Sequence, residues 1–233
     1  HRANCLGGWL SIPEALRNGG RPPAARSERR DPGELRAFIY GMENVARTSA
    51  EQLWDAVALE EYSAVLDIGG GPGTYALEAL RRSGGLRAAV LDLEEVTHIA
   101  REEAEAAGLA ELMPFIPADL TPATFPTGYD VHLASNVIHM LGPAEVADLF
   151  QRCSRALEPG GILLVKDFLL DDDRSGPPFG LKFALHMLVQ TEHGGCYTVG
   201  ETQSWLETAG LDAERLIELT PQTRIWQARK ARS

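Results

Sequence analysis

A short apolar run that carries an acid and ends at a glycine cluster is the feature that most constrains how this chain folds. Residues 65–68 read Val-Leu-Asp-Ile, and residues 69–73 read Gly-Gly-Gly-Pro-Gly. The apolar run predicts a buried strand, and the residues from Thr74 to Arg82 predict a helix. A glycine turn between the two elements lets main-chain N–H groups and a helix N-terminus approach a ligand, because no side chain blocks them. The pattern therefore predicts a cradle for a small-molecule cofactor.

The spacing of the glycines excludes two common nucleotide motifs. The dinucleotide fingerprint G-x-G-x-x-G is not met, because counting from Gly69 or from Gly71 leaves no glycine at the third required position. The phosphate-binding loop is not met either, because no Gly-Lys-Ser/Thr follows. What remains is Asp67 at the strand end, followed by the alternating glycines Gly69, Gly71 and Gly73.

This form resembles the first motif of the class I methyltransferases that use S-adenosylmethionine. The resemblance implies S-adenosyl-L-methionine as the cofactor, and Asp67, Gly69, Gly71 and Gly73 as residues that bind it. The cofactor has no pyrophosphate but carries an aminocarboxylate, which suits exposed N–H groups that face an acid. A glycine turn without any cofactor is the alternative interpretation.

From residue 63 onwards the predicted strands and helices alternate, which indicates an α/β fold with a parallel sheet covered on both faces. Further strands are predicted over 86–91, 112–116, 129–134, 161–168, 214–219 and 224–228, and further helices over 94–107, 143–157 and 202–209. The last two strands predict an antiparallel hairpin at the sheet edge. The resemblance implies a Rossmann-like seven-stranded sheet of order 3-2-1-4-5-7-6, with the last strand antiparallel. In such open sheets, ligands bind beyond the carboxyl ends of the strands.

Two further acids follow predicted strands. Asp92 follows the second strand and is placed to accept hydrogen bonds from ribose hydroxyls. Its alternative role is that of a solvated acid that caps the next helix. Asp119 follows the third strand and is placed to receive an adenine amino group, with Leu93 or Leu120 packed on the ring. Taken alone, it is nearly as consistent with an acid in a turn. The joint occurrence of Asp67, Asp92 and Asp119 at three successive strand ends favours the cofactor site.

The fourth strand leads into the candidate catalytic segment. Residues 129–140 read Tyr-Asp-Val-His-Leu-Ala-Ser-Asn-Val-Ile-His-Met, and residues 155–161 read Arg-Ala-Leu-Glu-Pro-Gly-Gly. This arrangement resembles the small-molecule O-methyltransferases that include plant phenolic and hydroxyindole enzymes and bacterial antibiotic-tailoring enzymes. The resemblance extends to Trp-Leu at 9–10, Leu-Arg-Asn-Gly at 16–19, Gly-Gly-Cys-Tyr-Thr at 194–198 and Ala-Gly-Leu at 209–211.

The resemblance implies that His139 is the general base and that Asp167 orients it. A neutral imidazole suits this role, because an effective base has a pKa near the operating pH. The reference pKa of a phenol is about 10 against about 6.5 for an imidazole, and concerted proton transfer reduces the cost of this mismatch. Two alternatives remain: His139 only forms a hydrogen bond within a loop, or His193 transfers the proton.

The chain departs from the plant enzymes at several positions. Met140 and Leu141 follow the histidine, where plant members have Asp and Trp. A second acid of the plant enzymes falls near Cys196 or Tyr197, where this chain has none. Ser135 stands where plant enzymes have a lysine near the adenine, and it is therefore a candidate cofactor contact with changed chemistry.

A substrate-lining helix is predicted over 179–189, where the apolar spacing is helical and the position matches such a helix in the resembling family. Phe183, His186, Met187 and Asn136 are then substrate-binding residues, and Met42 closes the other side of the site. The alternative for this helix is ordinary core. No metal is expected, because the spacing of the histidines and the cysteine between 186 and 196 fits no zinc pattern.

The first sixty residues differ from the rest. Helices are predicted over 9–17, 34–44 and 49–59, with Ser49 as the N-cap of the last. The resemblance implies that residues 1–60 are a helical connecting segment, the remnant of an N-terminal dimerisation domain. It also implies that residues 61–233 are the S-adenosylmethionine-binding catalytic domain, and that the full-length protein is a homodimer.

Composition argues against several partners. The net charge of −11 disfavours a nucleic acid partner, whose binding needs a basic surface. No membrane is expected, because no apolar run has spanning length and no signal-peptide pattern opens the chain. The three widely spaced cysteines favour a reduced, cytoplasmic location over a disulfide framework.

These features together predict methyl transfer from S-adenosylmethionine to a phenolic hydroxyl of a small aromatic natural product, as in antibiotic and other secondary metabolism. Two alternatives keep the cofactor site. One is a tailoring enzyme on the same framework that decarboxylates or hydroxylates its substrate. The other is a cofactor-binding protein without catalytic activity.

Overall fold

A computed structural model describes residues 8–19, 32–120 and 124–232, and a twisted seven-stranded sheet forms the centre of this part of the chain. The strands are β1 (Ala64–Ile68), β2 (Arg87–Asp92), β3 (Phe115–Pro117), β4 (Val131–Ser135), β5 (Ile162–Asp167), β6 (Leu211–Thr220) and β7 (Thr223–Lys230). Their order is β3-β2-β1-β4-β5-β7-β6. Strands β1 to β5 pair in parallel, and β7 runs antiparallel to both of its neighbours. The predicted fold class and the antiparallel edge hairpin are confirmed.

Helices cover both faces of the sheet. They are α1 (Ile12–Asn18), α2 (Pro32–Ala56), α3 (Thr74–Arg82), α4 (Glu94–Ala106), α5 (Pro143–Ala156), α6 (Pro178–Gln190) and α7 (Val199–Thr208). Short 3-10 turns lie at Leu59–Glu61, Ala110–Leu112 and Ile138–Met140. Helices α2 and α3 pack on one face of the sheet and share one apolar cluster. Helices α5 and α7 pack on the other face and share a second cluster. The central strands are buried on both sides, which is why their sequences are almost continuously apolar.

Most predicted boundaries agree with the structure to within a few residues. Helix α3 has the predicted bounds, and β3 is shorter than predicted because a 3-10 turn occupies 110–112. Helix α7 begins earlier than predicted, because Thr198 and Glu201 form a capping box at its N-terminus. The cysteines Cys153 and Cys196 are buried free thiols, whereas Cys5 lies outside the described residues.

The prediction of two helices over 34–44 and 49–59 is wrong, because α2 is one helix of 25 residues. Ser49, the predicted N-cap, lies within this helix. Both halves of α2 bury apolar side chains: Ile39 packs with Val96 and Ile99 of α4, and Leu53 is buried in the cluster of α3. Continuous packing therefore overrides the local capping signal.

No helix in the described ranges combines the length and the apolar character that a membrane crossing needs. The part of the predicted connecting segment 1–60 that forms α2 shares the core of the sheet, since Trp54 is buried and its indole Nε1 donates to the carbonyl of Tyr75 at 2.9 Å.

Proline at position 50 tests whether α2 is continuous. If a helix began after Ser49, Ala50 would be its first residue, where proline is favoured. In the continuous helix Ala50 is 1% exposed and internal, so Ala50→Pro is expected to lower the free energy of unfolding by about 3 kcal/mol or more. Urea denaturation measures this loss.

Glu34→Pro is the matched control, because Glu34 lies in the first turn of α2, where proline costs much less. Equal stability of Ala50→Pro and the wild type would contradict the continuous helix.

Candidate active site

The glycine turn between β1 and α3 adopts backbone conformations that require glycine. Gly69, Gly71 and Gly73 have φ angles of 66°, 56° and 78°. A Cβ atom at Gly69 would lie 2.8 Å from Val137 Cγ2, whereas a Cβ at Gly71 would meet nothing within 4 Å. The turn is thus closely packed at Gly69 and open at Gly71. The N–H groups of these three glycines donate within the protein, so the turn offers a ligand open space at Gly71.

Asp67 lies beneath this turn, where its carboxyl group is buried with few hydrogen-bond donors around it. Its side chain is 1% exposed, and neither carboxylate oxygen accepts a hydrogen bond of normal geometry from the described residues, although the Ala76 amide lies near enough to act on it. Burial, followed by the charge of Asp92, raises the pKa of Asp67 to about 7, and the amide of Ala76 partly opposes the rise. A buried carboxyl group of this kind is stabilised by a donor that a ligand supplies.

Asp92 fixes the outer side of the turn. Its Oδ2 accepts from the Gly71 N–H at 2.8 Å, and its Oδ1 accepts from the Leu93 N–H at 2.7 Å. Burial raises the pKa of Asp92, and these two amide bonds oppose the rise. Helix α4 has no side-chain N-cap bond in the described structure, which disfavours the capping alternative. Each carboxylate oxygen of Asp92 keeps a further lone pair for a ligand hydroxyl.

The predicted adenine-side residues lie at the same edge of the sheet. Leu120 is half-buried, and its Cδ1 would lie 3.6 Å from a Cβ at Gly69, which places it against the turn. Leu93 is 42% exposed, and Asp119 is exposed just beyond β3. Ser135 ends β4, and its Oγ is buried without a hydrogen-bond partner in the described residues. The adenine roles of these side chains stay predictions.

His139 and Asp167 form a buried pair at the ends of two neighbouring strands. His139 lies in the 3-10 turn after β4, and its Nδ1 is 2.8 Å from Asp167 Oδ1. Burial alone would raise the pKa of Asp167. The charge and hydrogen bond of His139 oppose this effect, and so do the Phe168 amide and the Lys166 charge, so the pKa of Asp167 lies below its usual value. A carboxylate can only accept, so it selects the His139 tautomer that carries the proton on Nδ1. The Nε2 atom is then free to accept a proton.

An aromatic cluster of Phe168, Phe179 and Phe183 lies beside this pair. The Phe183 ring meets the His139 ring edge-on, with centroids 4.9 Å apart and an interplanar angle of 87°. Phe168 lies 4.5 Å from Phe183 and 4.9 Å from Phe179. Sequence reasoning found Phe183 but missed Phe168 and Phe179. The available signals were the position of Phe168 next to Asp167 and the four-residue spacing of Phe179 and Phe183.

The other predicted substrate residues differ in their surroundings. His186 lies 5.9 Å from Phe183, and its Nδ1 accepts from Trp9 Nε1 at 3.1 Å. Burial, and then the charge of His139, lower the pKa of His186. Met187 is 6% exposed on the same helix, whereas Met42 is 41% exposed on α2. The fifth predicted residue, Asn136, has a φ of 59° and accepts a hydrogen bond from Lys166.

Residues 194–197 pack against the turn that carries His139. The Gly195 N–H donates to the His139 carbonyl at 3.0 Å, and a Cβ at Gly194 would lie 2.3 Å from the same oxygen. The Tyr197 hydroxyl donates to the Leu141 carbonyl. Cys196 is a buried thiol whose pKa burial raises to about 12, with the Asp167 charge adding to the effect. This segment supplies main-chain and hydroxyl contacts where the plant enzymes have a second acid.

His193, the alternative proton-transfer residue, has a 64% exposed side chain. Within the described ranges, no group of three or more His, Cys, Asp or Glu side chains is placed to hold a metal ion.

The residues at the glycine turn fit S-adenosylmethionine, which the sequence resemblance implies. Asp67 offers unpaired buried oxygens to an ammonium group. Gly71 leaves open space over the turn, and Asp92 keeps acceptor capacity for ribose hydroxyls.

Comparison with known proteins agrees with this fit. A family model described as an O-methyltransferase domain matches residues 17–212. The chain is 31% identical over 214 residues to 3-hydroxy-5-methyl-1-naphthoate 3-O-methyltransferase of Streptomyces sahachiroi, covering 90% of this chain and 62% of that protein. It is 29% identical over 228 residues to the tetracenomycin polyketide synthesis 8-O-methyltransferase TcmO of Streptomyces glaucescens, covering 96% of this chain and 67% of that protein.

A solved structure gives the same relationship. The human N-acetylserotonin methyltransferase in complex with S-adenosylmethionine superposes with a TM-score of 0.85 at 26% identity. The match covers 96% of this chain and 66% of the human chain. The chain thus spans about two thirds of the length of these relatives, and 62% in the case of the naphthoate enzyme.

The raised pKa of Asp67 predicts a pH-dependent loss of stability in the ligand-free protein. As pH rises, the unfolded chain releases the Asp67 proton near 3.8, whereas the folded chain holds it until about 7. Stability is therefore fully present below the lower value and is lost as pH rises towards the higher one. Between pH 5 and pH 7, the free energy of unfolding of the wild type should fall by about 2–3 kcal/mol more than that of Asp67→Asn.

Urea denaturation at the two pH values measures this difference. Asp212→Asn, which alters an exposed acid of β6, is the control and should follow the wild type. Parallel losses in the wild type and Asp67→Asn would show that Asp67 does not titrate in this range.

Proposed function

Because this chain belongs to the family of S-adenosylmethionine-dependent O-methyltransferases that act on small molecules, we propose that it methylates a phenolic hydroxyl of a small aromatic natural product, with His139 as the general base. The observation that carries the proposal is the buried His139–Asp167 pair beside the aromatic cluster. This arrangement places a histidine of defined tautomer next to an aromatic surface that suits a flat ring.

The cofactor, when bound, supplies an electrophilic methyl group. Asp67, the open main chain of the glycine turn at Gly71, and Asp92 are the groups that would hold it, with Leu93, Asp119, Leu120 and Ser135 on the adenine side. The contribution of the remaining side chains is to position the acceptor hydroxyl and to remove its proton.

Proton removal falls to His139 Nε2, since Asp167 holds Nδ1 in the donor role. A phenol of reference pKa about 10 gives its proton to an imidazole of about 6.5 at a cost of roughly 5 kcal/mol if the transfer is complete in advance. Transfer that proceeds as the oxygen becomes nucleophilic avoids most of this cost. Asp167 also stabilises the imidazolium that forms, because it stays ionised beside the ring.

An aromatic acceptor is supported by the rings that flank the base. The ring centroids of the aromatic cluster, Phe168, Phe179 and Phe183, lie 4.5–6.0 Å apart. Such an arrangement favours contact with a further aromatic ring. The relatives named for a hydroxynaphthoate and for a tetracenomycin polyketide support the same acceptor class and a place in antibiotic biosynthesis. Met42, Asn136, His186 and Met187 are proposed to complete the acceptor site.

We also propose the domain assignment that the sequence suggests. Residues 1–60 would connect the catalytic domain of residues 61–233 to a dimerisation domain, and the full-length protein would be a cytoplasmic homodimer. The contact of Trp9 with His186 supports a role of the connecting segment near the acceptor site.

Removal of the proposed base gives the first activity test. His139→Ala is expected to lower the rate of S-adenosylhomocysteine formation with a responsive phenol by roughly 10²- to 10⁴-fold. Its affinity for S-adenosylhomocysteine, measured by calorimetry, should stay unchanged, because His139 serves the acceptor. A panel of phenols and aliphatic alcohols identifies the acceptor class.

His193→Ala is the comparison variant and should retain activity, since its side chain is exposed. Loss of activity in His193→Ala but not in His139→Ala would assign proton transfer to the other histidine. Product formation without conversion of S-adenosylmethionine would instead favour decarboxylation or hydroxylation.

Replacement of the orienting acid tests the tautomer. Asp167→Asn keeps the size of the side chain but offers an amide that can donate to Nδ1, which favours the wrong tautomer. We expect kcat to fall by roughly 10²- to 10⁴-fold with little change in the KM for S-adenosylmethionine. Steady-state kinetics over a pH series measures both, and an unchanged kcat would contradict the orienting role.

A further inference from the structure

Lys166 is a buried lysine to which the proposed reaction assigns no role. It is one of three lysines in the sequence and lies near the carboxyl end of β5, 2% exposed. Its Nζ donates to Asn136 Oδ1 at 3.1 Å and lies 6.0 Å from the centroid of the Tyr75 ring. An ammonium group has three donors, so this environment leaves it with unused hydrogen-bonding capacity.

The burial of this ammonium is unfavourable in the ligand-free protein. Burial lowers the pKa of Lys166 to about 8, and the charge of Asp167 opposes the shift. Consecutive strand residues point to opposite faces, so Asp167 is directed to the face of His139 and Lys166 to the other face. A lysine in this position is more costly than an apolar residue of similar volume, so stability does not explain its presence.

The companions of Lys166 on its own face are buried polar groups that accept or donate few hydrogen bonds. Val65, Leu133 and Leu164 belong to one apolar cluster, and the residues two positions further along each strand share their face. These residues are Asp67, Ser135 and Lys166. The oxygens of Asp67 and the hydroxyls of Ser135 and Tyr75 are buried without hydrogen bonds of normal geometry in the described structure, and the two hydroxyls lie near enough to interact with each other.

The acid and the ammonium are separated by one strand. Strands β1 and β5 both flank β4, and neighbouring strands lie roughly 4.8 Å apart, so the backbones at Asp67 and Lys166 are separated by about 10 Å. Within the described residues no ion pair joins them: the oxygens of Asp67 have no partner, and the Lys166 ammonium donates to Asn136. A zwitterion placed between the two groups can present its ammonium to Asp67 and its carboxylate to Lys166.

We propose that Lys166 binds the carboxylate of the aminocarboxylate group of S-adenosylmethionine, while Asp67 receives the ammonium of the same group. The inference rests on the proposed function only for the identity of the cofactor. It adds a cation to a cofactor site in which sequence reasoning found only acids, glycines, leucines and a serine. Ser135 and Tyr75 lie on the same face and supply hydroxyls to the polar surroundings of this group.

A purely structural role for Lys166 makes a different prediction. Asn136 has a φ of 59° and precedes the turn of His139, so the Lys166–Asn136 bond stabilises that conformation. If support of Asn136 were the only role of Lys166, its loss would affect all cofactor analogues equally.

Two analogues that differ in the aminocarboxylate separate these roles. S-adenosylhomocysteine carries this group, whereas 5′-methylthioadenosine lacks it and keeps the nucleoside. By calorimetry, Lys166→Met should bind S-adenosylhomocysteine roughly tenfold to hundredfold more weakly than the wild type, and 5′-methylthioadenosine within about twofold of it. Lys166→Arg keeps the charge and should retain part of the preference for S-adenosylhomocysteine.

Lys182→Met is the matched control, because Lys182 is an exposed lysine of α6 and should bind both analogues like the wild type. Thermal melting checks that each variant is folded, and Lys166→Gln serves as a second neutral variant for the same comparison. Equal weakening of both analogues, or no weakening, would overturn the role of Lys166 and leave the proposed function intact. Failure of the folded wild type to bind either analogue would overturn both.

Discussion

Charged side chains buried at the carboxyl ends of parallel strands are the constraint on which this molecule depends. Asp67, Lys166 and Asp167 end two strands of the sheet, and each is 2% exposed or less. A charge removed from water is unfavourable unless it is paired and hydrogen-bonded. Because parallel strands end at one edge, these unfavourable groups collect in one region of the fold. The two apolar clusters, one on each face of the sheet, supply the stability that allows several buried charges to lie close together.

The two buried aspartates differ because of the segments that follow their strands. After β5, the chain returns the Phe168 N–H to Asp167 at 2.8 Å, and the 3-10 turn supplies the ring and amide of His139. After β1, the glycine turn directs the Gly71 N–H away from Asp67 to Asp92. The paired acid has a lowered pKa and can orient a base, whereas the unpaired acid has a raised pKa and retains its capacity for a ligand. One residue type thus has opposite pKa shifts on β1 and β5, the two strands that flank β4.

The sequence predicted the elements whose signals are local. Helix α3 was found because the glycine turn precedes an amphipathic run, and the acids at strand ends were found because chain position alone places them at the ligand edge. The single helix α2 was missed, since only its packing against both α4 and the main core shows that it continues through Ser49. Phe168 and Lys166 were missed for a related reason. Their importance depends on the strand face and on the helix that covers it, and neither is encoded in residue spacing.

The segment 194–197 holds the backbone of the turn that carries His139. The Gly195 N–H donates to the carbonyl of His139 at 3.0 Å, and the Tyr197 hydroxyl donates to the carbonyl of Leu141. The backbone of the turn is thus held at His139 and two residues beyond it. These donors do not change charge near neutral pH, whereas a second carboxylate would titrate with its surroundings. The ring then needs only Asp167 to set its tautomer. One main-chain donor and one hydroxyl donor therefore hold this turn at the place where the sequence has no second acid, and they add no further buried charge to this edge of the sheet.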